Sequence, residues 1–492
     1  MQRFESARRL QVFRPATALV PISRRDSLKV LTLSLTAHWP LFHSRLKAAQ
    51  AGRSDTDHFI DLVRSYTVKG PLSLDVNFSA YRTMIPLKDG SLYSLVIEGT
   101  DSRRPWVTTT KRSISTDQGA TWSKPEPMID PQGREVRFEN NNESLLRLKS
   151  GALGLVFARN EDGEAGREAP PAKDYGMNVW FSRSTDEGRT WSKPSRVGEP
   201  FNNVWKYWNS AIVTTKGRIV VPVFSLIGKT IPERGRALLG DHIVGIGAHG
   251  YEQFLTYSWV YYSDDEGETW KPNQGKSIWA AGGELFVTLD HSAGGHHGCE
   301  EPVVEEVSPD HLLMLFRTPL GRFYQSWSRD DGTNWSRPEA TVLASSYAPA
   351  TLKRIPGTDH LLAIWNQASA DEIERGLQRH RLSSAISKDG GATWKHGRNI
   401  FSVFLDREER TYLEPSPIRV YRASEQSSRL PRHYMEGTYP ALYFSKDRAI
   451  VVFGSGELSM IDESTGQVSH EDDKRGRSAY VTLSLPVSWF YG

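Results

Sequence analysis

The sequence predicts an all-β protein, a six-bladed β-propeller of four-stranded antiparallel blades. Three observations carry that expectation. The octapeptide Ser-x-Asp-x-Gly-x-x-Trp occurs five times, its copies are 59 to 79 residues apart, and short apolar or alternating runs surround each copy. A unit of this size accommodates four short strands and their loops, the content of one propeller blade.

The N-terminus comes first and stands apart. Arg24-Arg25 precede an apolar run from Val30 to Leu35 that fades by Phe42, and Ala49-Gln50-Ala51 ends the segment with a small-x-small pattern. Residues 30–42 are too few to span a bilayer. The order of basic, apolar and cleavable parts predicts a twin-arginine-type export signal over residues 1–51, removed after Ala51, and so a periplasmic or secreted protein with no membrane span in the mature chain. A plain basic arm is the competing reading. Residues 52–74 form a lead-in, and 75–492 the propeller.

Charge follows the same division. The chain has 61 Lys+Arg against 58 Asp+Glu, a net of +3 and a pI near 8.7. Nine of those bases and two of those acids lie in residues 1–51, so the remainder is mildly acidic, about −4. The basic pI belongs to the leader, and nucleic acid is excluded as a partner. Cys299 is the single cysteine, which excludes an intrachain disulfide and a thiolate metal cluster.

The repeats are Ser115–Trp122, Ser184–Trp191, Ser263–Trp270, Ser328–Trp335 and Ser387–Trp394. Each has the chemistry of a hairpin turn: Asp accepts backbone N–H groups, Gly permits positive φ, and Trp packs back under the strands. Strands are expected at Leu153–Phe157, Arg218–Phe224, Leu312–Phe316, Leu361–Trp365 and Ala449–Phe453, and helices only at Asp57–Tyr66 and Ala370–Gln378. The turns belong to the blade periphery, away from any site on the axis.

Five such turns in a chain of this length resemble the Asp-box sialidases, the neuraminidase superfamily of six-bladed propellers, over about residues 75–488. The resemblance implies three arginines that clamp a substrate carboxylate, a tyrosine–glutamate nucleophile pair and an aspartate acid/base, with no cofactor. In Tyr81-Arg82-Thr83-Met84-Ile85-Pro86, similar to the family's first inner strand with two extra residues before the proline, Arg82 is the first clamp candidate. The stretch from Glu301-Pro302-Val303-Val304-Glu305 to Arg317 is similar to the family's glutamate-to-arginine segment and makes Glu301 the nucleophile's partner and Arg317 the second clamp. Arg379, eight residues before Ser387, is the third. Tyr439-Pro440-Ala441-Leu442 resembles the nucleophile strand, making Tyr439 the nucleophile, with Tyr412 its rival; Glu300 and Glu305 compete with Glu301. The acid/base is the departure: the family position falls on Arg104, and Asp101, three residues earlier, is the nearest carboxylate.

These residue types suit an acidic sugar. Planar guanidinium groups bind carboxylates with paired, directional hydrogen bonds. A neutral tyrosine, activated by a neighbouring base, avoids the repulsion that a carboxylate nucleophile would meet at an anionic centre. The expected activity is therefore an exo-acting, retaining glycosidase on a terminal sialic acid-like sugar of an acidic glycan. The alternatives are a glycosidase or lyase acting on uronic-acid polysaccharide and a non-catalytic glycan-binding propeller. His291 to Cys299 has the look of a metal site but lacks a second cluster, and its glycines say loop. Asn140–Ser144 and Trp205–Asn209 are either sugar-contacting loops or blade-start turns.

Overall fold

The computed structural model describes residues 60–492 apart from 69–72, 78–79, 102–103, 137, 139–141, 161–176, 199–203, 231–234, 240–241, 247–250, 274–286, 291–294, 405–412, 422, 424–428, 431–433, 458–459, 462–467 and 470–477. The expected export signal, Tyr412, Asn140, Asn141 and residues 291–294 lie outside the described residues.

Six four-stranded antiparallel sheets form the six blades. Their inner strands are Ala80–Pro86, Ser144–Arg147, Ile212–Val213, Glu300–Ser308, Ala350–Arg354 and Met435–Ser445, blades 1 to 6 in that order. Each inner strand touches the next, and that of blade 6 touches that of blade 1, so the blades close into a ring. Closure uses both ends of the propeller. Ser73–Asn77 is the outermost strand of blade 6 and pairs antiparallel with the Tyr480–Ser484 part of its third strand. The ring thus begins at Ser73, within the expected lead-in, because that strand supplies the last ladder of the sixth sheet.

This closure explains why six blades carry only five octapeptides. In blades 1 to 5 the octapeptide serine ends the third strand, and the turn leads directly to the fourth: Ser115, Ser184, Ser263, Ser328 and Ser387 are all last residues of their strands. In blade 6 the fourth strand comes from the other end of the chain, so no such turn is required. All the expected strands occur, generally longer than expected. The helix expected to extend to Gln378 stops at Glu374; it is capped at Ser369 by a reciprocal pair with Glu372.

The turns share one hydrogen-bond pattern. In the third, Ser263 Oγ donates to Asp265 Oδ1 at 2.8 Å and accepts from Gly267 N at 2.8 Å, while Thr269 N donates to Asp265 at 2.8 Å. Glu266 and Gly267 are left-handed, at φ 56° and 93°. The left-handed bend presses the second, third and fifth turns onto the preceding blade. A Cβ on Gly267 would meet Phe181 of blade 2 at 2.2 Å, and one on Gly391 would meet Leu313 of blade 4 at 2.4 Å. The residue before the glycine adds polar stitches: Glu187 takes Arg147 at 2.5 and 3.0 Å and Lys88 N at 3.0 Å, and Glu266 takes Arg183 at 2.6 Å and Ser150 N at 2.6 Å. Trp191 is fully buried, and Trp335 and Trp394 nearly so, while Trp122 and Trp270 are half-buried against the apolar clusters.

Gly267→Ala is therefore expected to cost about 2–4 kcal/mol, combining left-handed strain with overpacking against Phe181. Gly133→Ala, at φ 78° with no atom within 4 Å, is expected to cost only about 1 kcal/mol. Denaturant unfolding of the two variants beside the parent checks the difference.

Candidate active site

The site is built where ladders break. In blade 1 the pairing skips between Tyr81 and Thr83, leaving Arg82 as an extra residue on its inner strand. In blade 4 it skips between Glu300 and Val303, and in blade 6 between Thr438 and Ala441. Such bulges re-aim a side chain that regular pleating would point elsewhere. Glu301 and Tyr439 are left-handed at φ 42° and 54°, each followed by a proline that has no N–H to contribute to a ladder. Left-handed backbone at non-glycine residues is strained and persists where the surroundings enforce it.

The two bulges bring together residues far apart in sequence. Tyr439 Oη lies 3.5 Å from Glu301 Oε1. Arg317, at the end of the second strand of blade 4, donates from Nε and Nη2 to Glu300 Oε2 at 2.9 and 2.6 Å, and its Nη1 forms an ion pair with Glu301 Oε2 at 2.9 Å. That last contact is close but not aligned as a hydrogen bond. The Arg317 guanidinium stacks 4.7 Å above the Tyr347 ring, and that of Arg379 lies 5.1 Å from the Tyr439 ring centre. One Arg379 nitrogen, Nη2, is buried without a hydrogen-bond partner.

Burial sets the electrostatics. It pushes the Glu301 carboxyl up to about 7, against the pull of Arg317 and Arg379. Burial, and then the Glu301 charge, raise the Tyr439 phenol, while the two arginines oppose them. For Arg317 burial acts downward, but Glu301 and Glu300 more than offset it, so it stays a cation. The positive charge at the site is smaller than the count of arginines suggests, because Glu300 and Glu301 both face Arg317.

Of the residues singled out in the sequence, Tyr439, Glu301, Arg317 and Arg379 meet in space. Arg82 lies on the neighbouring inner strand of blade 1, and Asp101 ends that blade's second strand, paired with Arg104. Since Ala80 pairs with Ile97, the hairpin bearing Asp101 runs past the start of the inner strand, at the end where Arg82 lies. The side chains of Arg82 and Asp101 lie outside the described part of the structure. Glu300 serves Arg317 rather than Tyr439. Glu305 lies further along the strand, beside a cleft lined by Arg354, Thr358 and Asp359. Gly295–Gly298 is a strand paired with Val287–Asp290 rather than a loop, and no group of three or more metal-ligating side chains occurs among the described residues.

Sequence reasoning misses the supports. Glu372, the reciprocal partner of the Ser369 cap, takes Arg381 at 2.7 and 3.1 Å and His380 at 3.3 Å, the two residues after Arg379. Gly437 N donates to the Arg379 carbonyl at 2.9 Å, tying that loop to the strand of Tyr439. The Ser-x-x-Glu capping box is readable; its ionic partners, from beyond the helix, are not.

Arg317→Ala leaves two carboxylates facing each other in the interior. The variant is expected to lose about 3–5 kcal/mol of stability, measured by chemical denaturation at pH 8.

Residues 90–452 match the BNR repeat-like domain family. A sialidase of Bacteroides fragilis (strain YCH46) is 22% identical over 307 residues, which is 57% of this chain and 47% of that protein, so the chain spans about half the length of this relative. Among solved structures, the Hadza microbial sialidase Hz136 is similar with a TM-score of 0.49 and 16% identity, over 83% of this chain and 66% of that one. Trypanosoma rangeli sialidase is similar with a TM-score of 0.46 and 13% identity, over 86% of this chain and 61% of that one. With its five Asp-box turns, its six-bladed ring and a family match across most of its length, the chain belongs to the BNR repeat-like family of the sialidase-like superfamily.

Proposed function

We propose that this protein is an exported, retaining exo-glycosidase that removes a terminal sialic acid-like sugar from an acidic glycan. The observation that carries the proposal is the meeting of Tyr439 and Glu301 at 3.5 Å beside Arg317 and Arg379. A base beside a phenol that two guanidinium groups flank suits nucleophilic attack at a carbon bearing a carboxylate. Arg24-Arg25 and the apolar run that follows them support export, and no helix among the described residues is long and apolar enough to cross a membrane.

In this mechanism Arg82, Arg317 and Arg379 bind the sugar carboxylate. Tyr439 Oη attacks the anomeric carbon as its proton passes to Glu301, and Asp101 protonates the departing glycosidic oxygen. A glycosyl–tyrosine bond has then formed and the glycosidic bond has broken. Asp101, now ionised, takes a proton from water, whose oxygen attacks the same carbon. Tyr439 leaves and recovers its proton from Glu301. Two displacements on one carbon retain its configuration. No cofactor is needed.

Tyr439→Phe is expected to reduce turnover of an aryl sialoside at least about 10³-fold while the protein still unfolds cooperatively, read as released phenol and by circular dichroism. Wild-type rates in this variant would overturn the nucleophile assignment. Release of an unsaturated, ultraviolet-absorbing sugar from uronic-acid polysaccharide, with no sialoside turnover, would replace hydrolysis by elimination.

Glu301 must be ionised to accept the tyrosine proton, and burial has raised it from 4.5 to about 7. The base form is thus depleted below pH 7, and kcat/KM is expected to rise about tenfold per pH unit up to an apparent pKa near 7. Glu301→Gln is expected to lose that limb together with most of the activity, as shown by a pH series at fixed ionic strength.

A further inference from the structure

The connection between blades 2 and 3 holds a motif that the mechanism above does not use, Trp205-Lys206-Tyr207-Trp208-Asn209. Its last three residues are not the exposed side chains of an open loop. Tyr207 is 1%, Trp208 2% and Asn209 7% exposed. Each instead donates a hydrogen bond into another blade. Tyr207 Oη donates to the Pro440 carbonyl at 3.2 Å, Asn209 Nδ2 to the Leu442 carbonyl at 3.1 Å, and Trp208 Nε1 to Thr83 Oγ1 at 2.8 Å.

The receiving positions are informative. Pro440 lies inside the ladder gap of blade 6, next to Tyr439, and Thr83 closes the gap that contains Arg82 in blade 1. The Tyr207 ring also stacks on the Tyr439 ring, with centres 6.0 Å apart and planes 30° from parallel. A bulge leaves backbone groups without ladder partners, and a buried carbonyl needs a donor from elsewhere. We infer that Tyr207-Trp208-Asn209 is a positioning brace that fixes the bulges presenting Arg82 and Tyr439, with Tyr207 as its principal positioning residue. The inference rests on the functional reading above only in calling Tyr439 the nucleophile.

The brace is anchored in its own right. Lys206 Nζ donates to the Asn142 carbonyl, to Ser144 Oγ at 2.8 Å and to the Tyr207 carbonyl at 2.9 Å. Asn209 N donates to the Glu143 carbonyl at 3.0 Å, and Ser210 Oγ to the Tyr207 carbonyl at 2.7 Å. Asn209 is left-handed at φ 51°, a conformation asparagine tolerates better than most residues. Burial, then the nearby Glu301 and Tyr439, raise the Tyr207 phenol well above 10, so at neutral pH it remains a hydrogen-bond donor. Blade 2 thus holds the motif through Lys206, and the motif holds blades 1 and 6.

Tyr207→Phe keeps the ring and removes the bond to Pro440. Hydrogen exchange by mass spectrometry is expected to show the segment Gly437–Tyr443 exchanging about fivefold faster, with Ile450–Phe453 of the same blade unchanged. Covalent labelling of Tyr439 by a 2,3-difluorosialosyl fluoride, followed by intact mass, is expected to slow about 10- to 100-fold, while KM for an aryl sialoside stays within about twofold. Ile219→Val, in the core of blade 3, serves as the stability control and should label at the parental rate. Unchanged exchange in Tyr207→Phe would overturn the brace, and so would parental labelling kinetics. If exchange quickens in Tyr207→Phe but the parent itself neither labels nor turns over sialosides, the brace stands and the sialidase reading of the site falls.

Discussion

The fold depends on a five-residue pairing, Ser73–Asn77 against Tyr480–Ser484. A ring of sheets has no natural end, and an unclosed sixth blade would expose a row of unpaired backbone groups. Bringing the fourth strand of the last blade from the other end of the propeller removes that edge and joins the two ends of the ring. All six inner strands are then held against one another around the axis. Side chains that meet across blades 4, 5 and 6 need that rigidity, since each blade supplies only a few of them.

Against this regular background the site is a set of local departures. Three inner strands lose register where Arg82, Glu301 and Tyr439 lie, and two of those residues take left-handed backbone. The charges are equally unusual: Arg317 is fully buried and has Glu300 and Glu301 on two sides. A buried ion cluster of this kind contributes little net stability but is costly to break, which favours a single arrangement of its members. It also gives Glu301 two demands on one carboxylate, the cation at Oε2 and the phenol at Oε1.

Much of the fold and part of the site are legible in the residues themselves. The five octapeptides predict the blades because their requirements are local: an Asp to cap amides, a Gly for positive φ and a Trp to fill the seam. Glu301, Arg317, Arg379 and Tyr439 are identified through resemblance, by their order and their neighbours. The prolines at 302 and 440 are a further signal, since a proline inside a central strand marks a break in pairing. What escapes is nonlocal. Nothing near Tyr207 announces Pro440, more than two hundred residues away, and nothing near Glu372 announces its ion pairs with the flank of Arg379. The motif containing Tyr207 looks equally like a sugar-contacting loop, because an aromatic residue that faces a ligand and one that braces a strand have the same composition.

By itself, then, the sequence determined the class of fold, the number of blades and the residue types available for chemistry, because repeats, turns and strand alternation are short-range physics. It also determined the charge division between residues 1–51 and the rest of the chain. Tertiary structure alone decided where the ring closes, that Glu300 rather than Glu301 takes the paired bonds of Arg317, and which buried side chains brace the bulges. Those outcomes depend on which groups share a low-dielectric interior and must satisfy one another there, a condition that exists only after distant segments have been brought together.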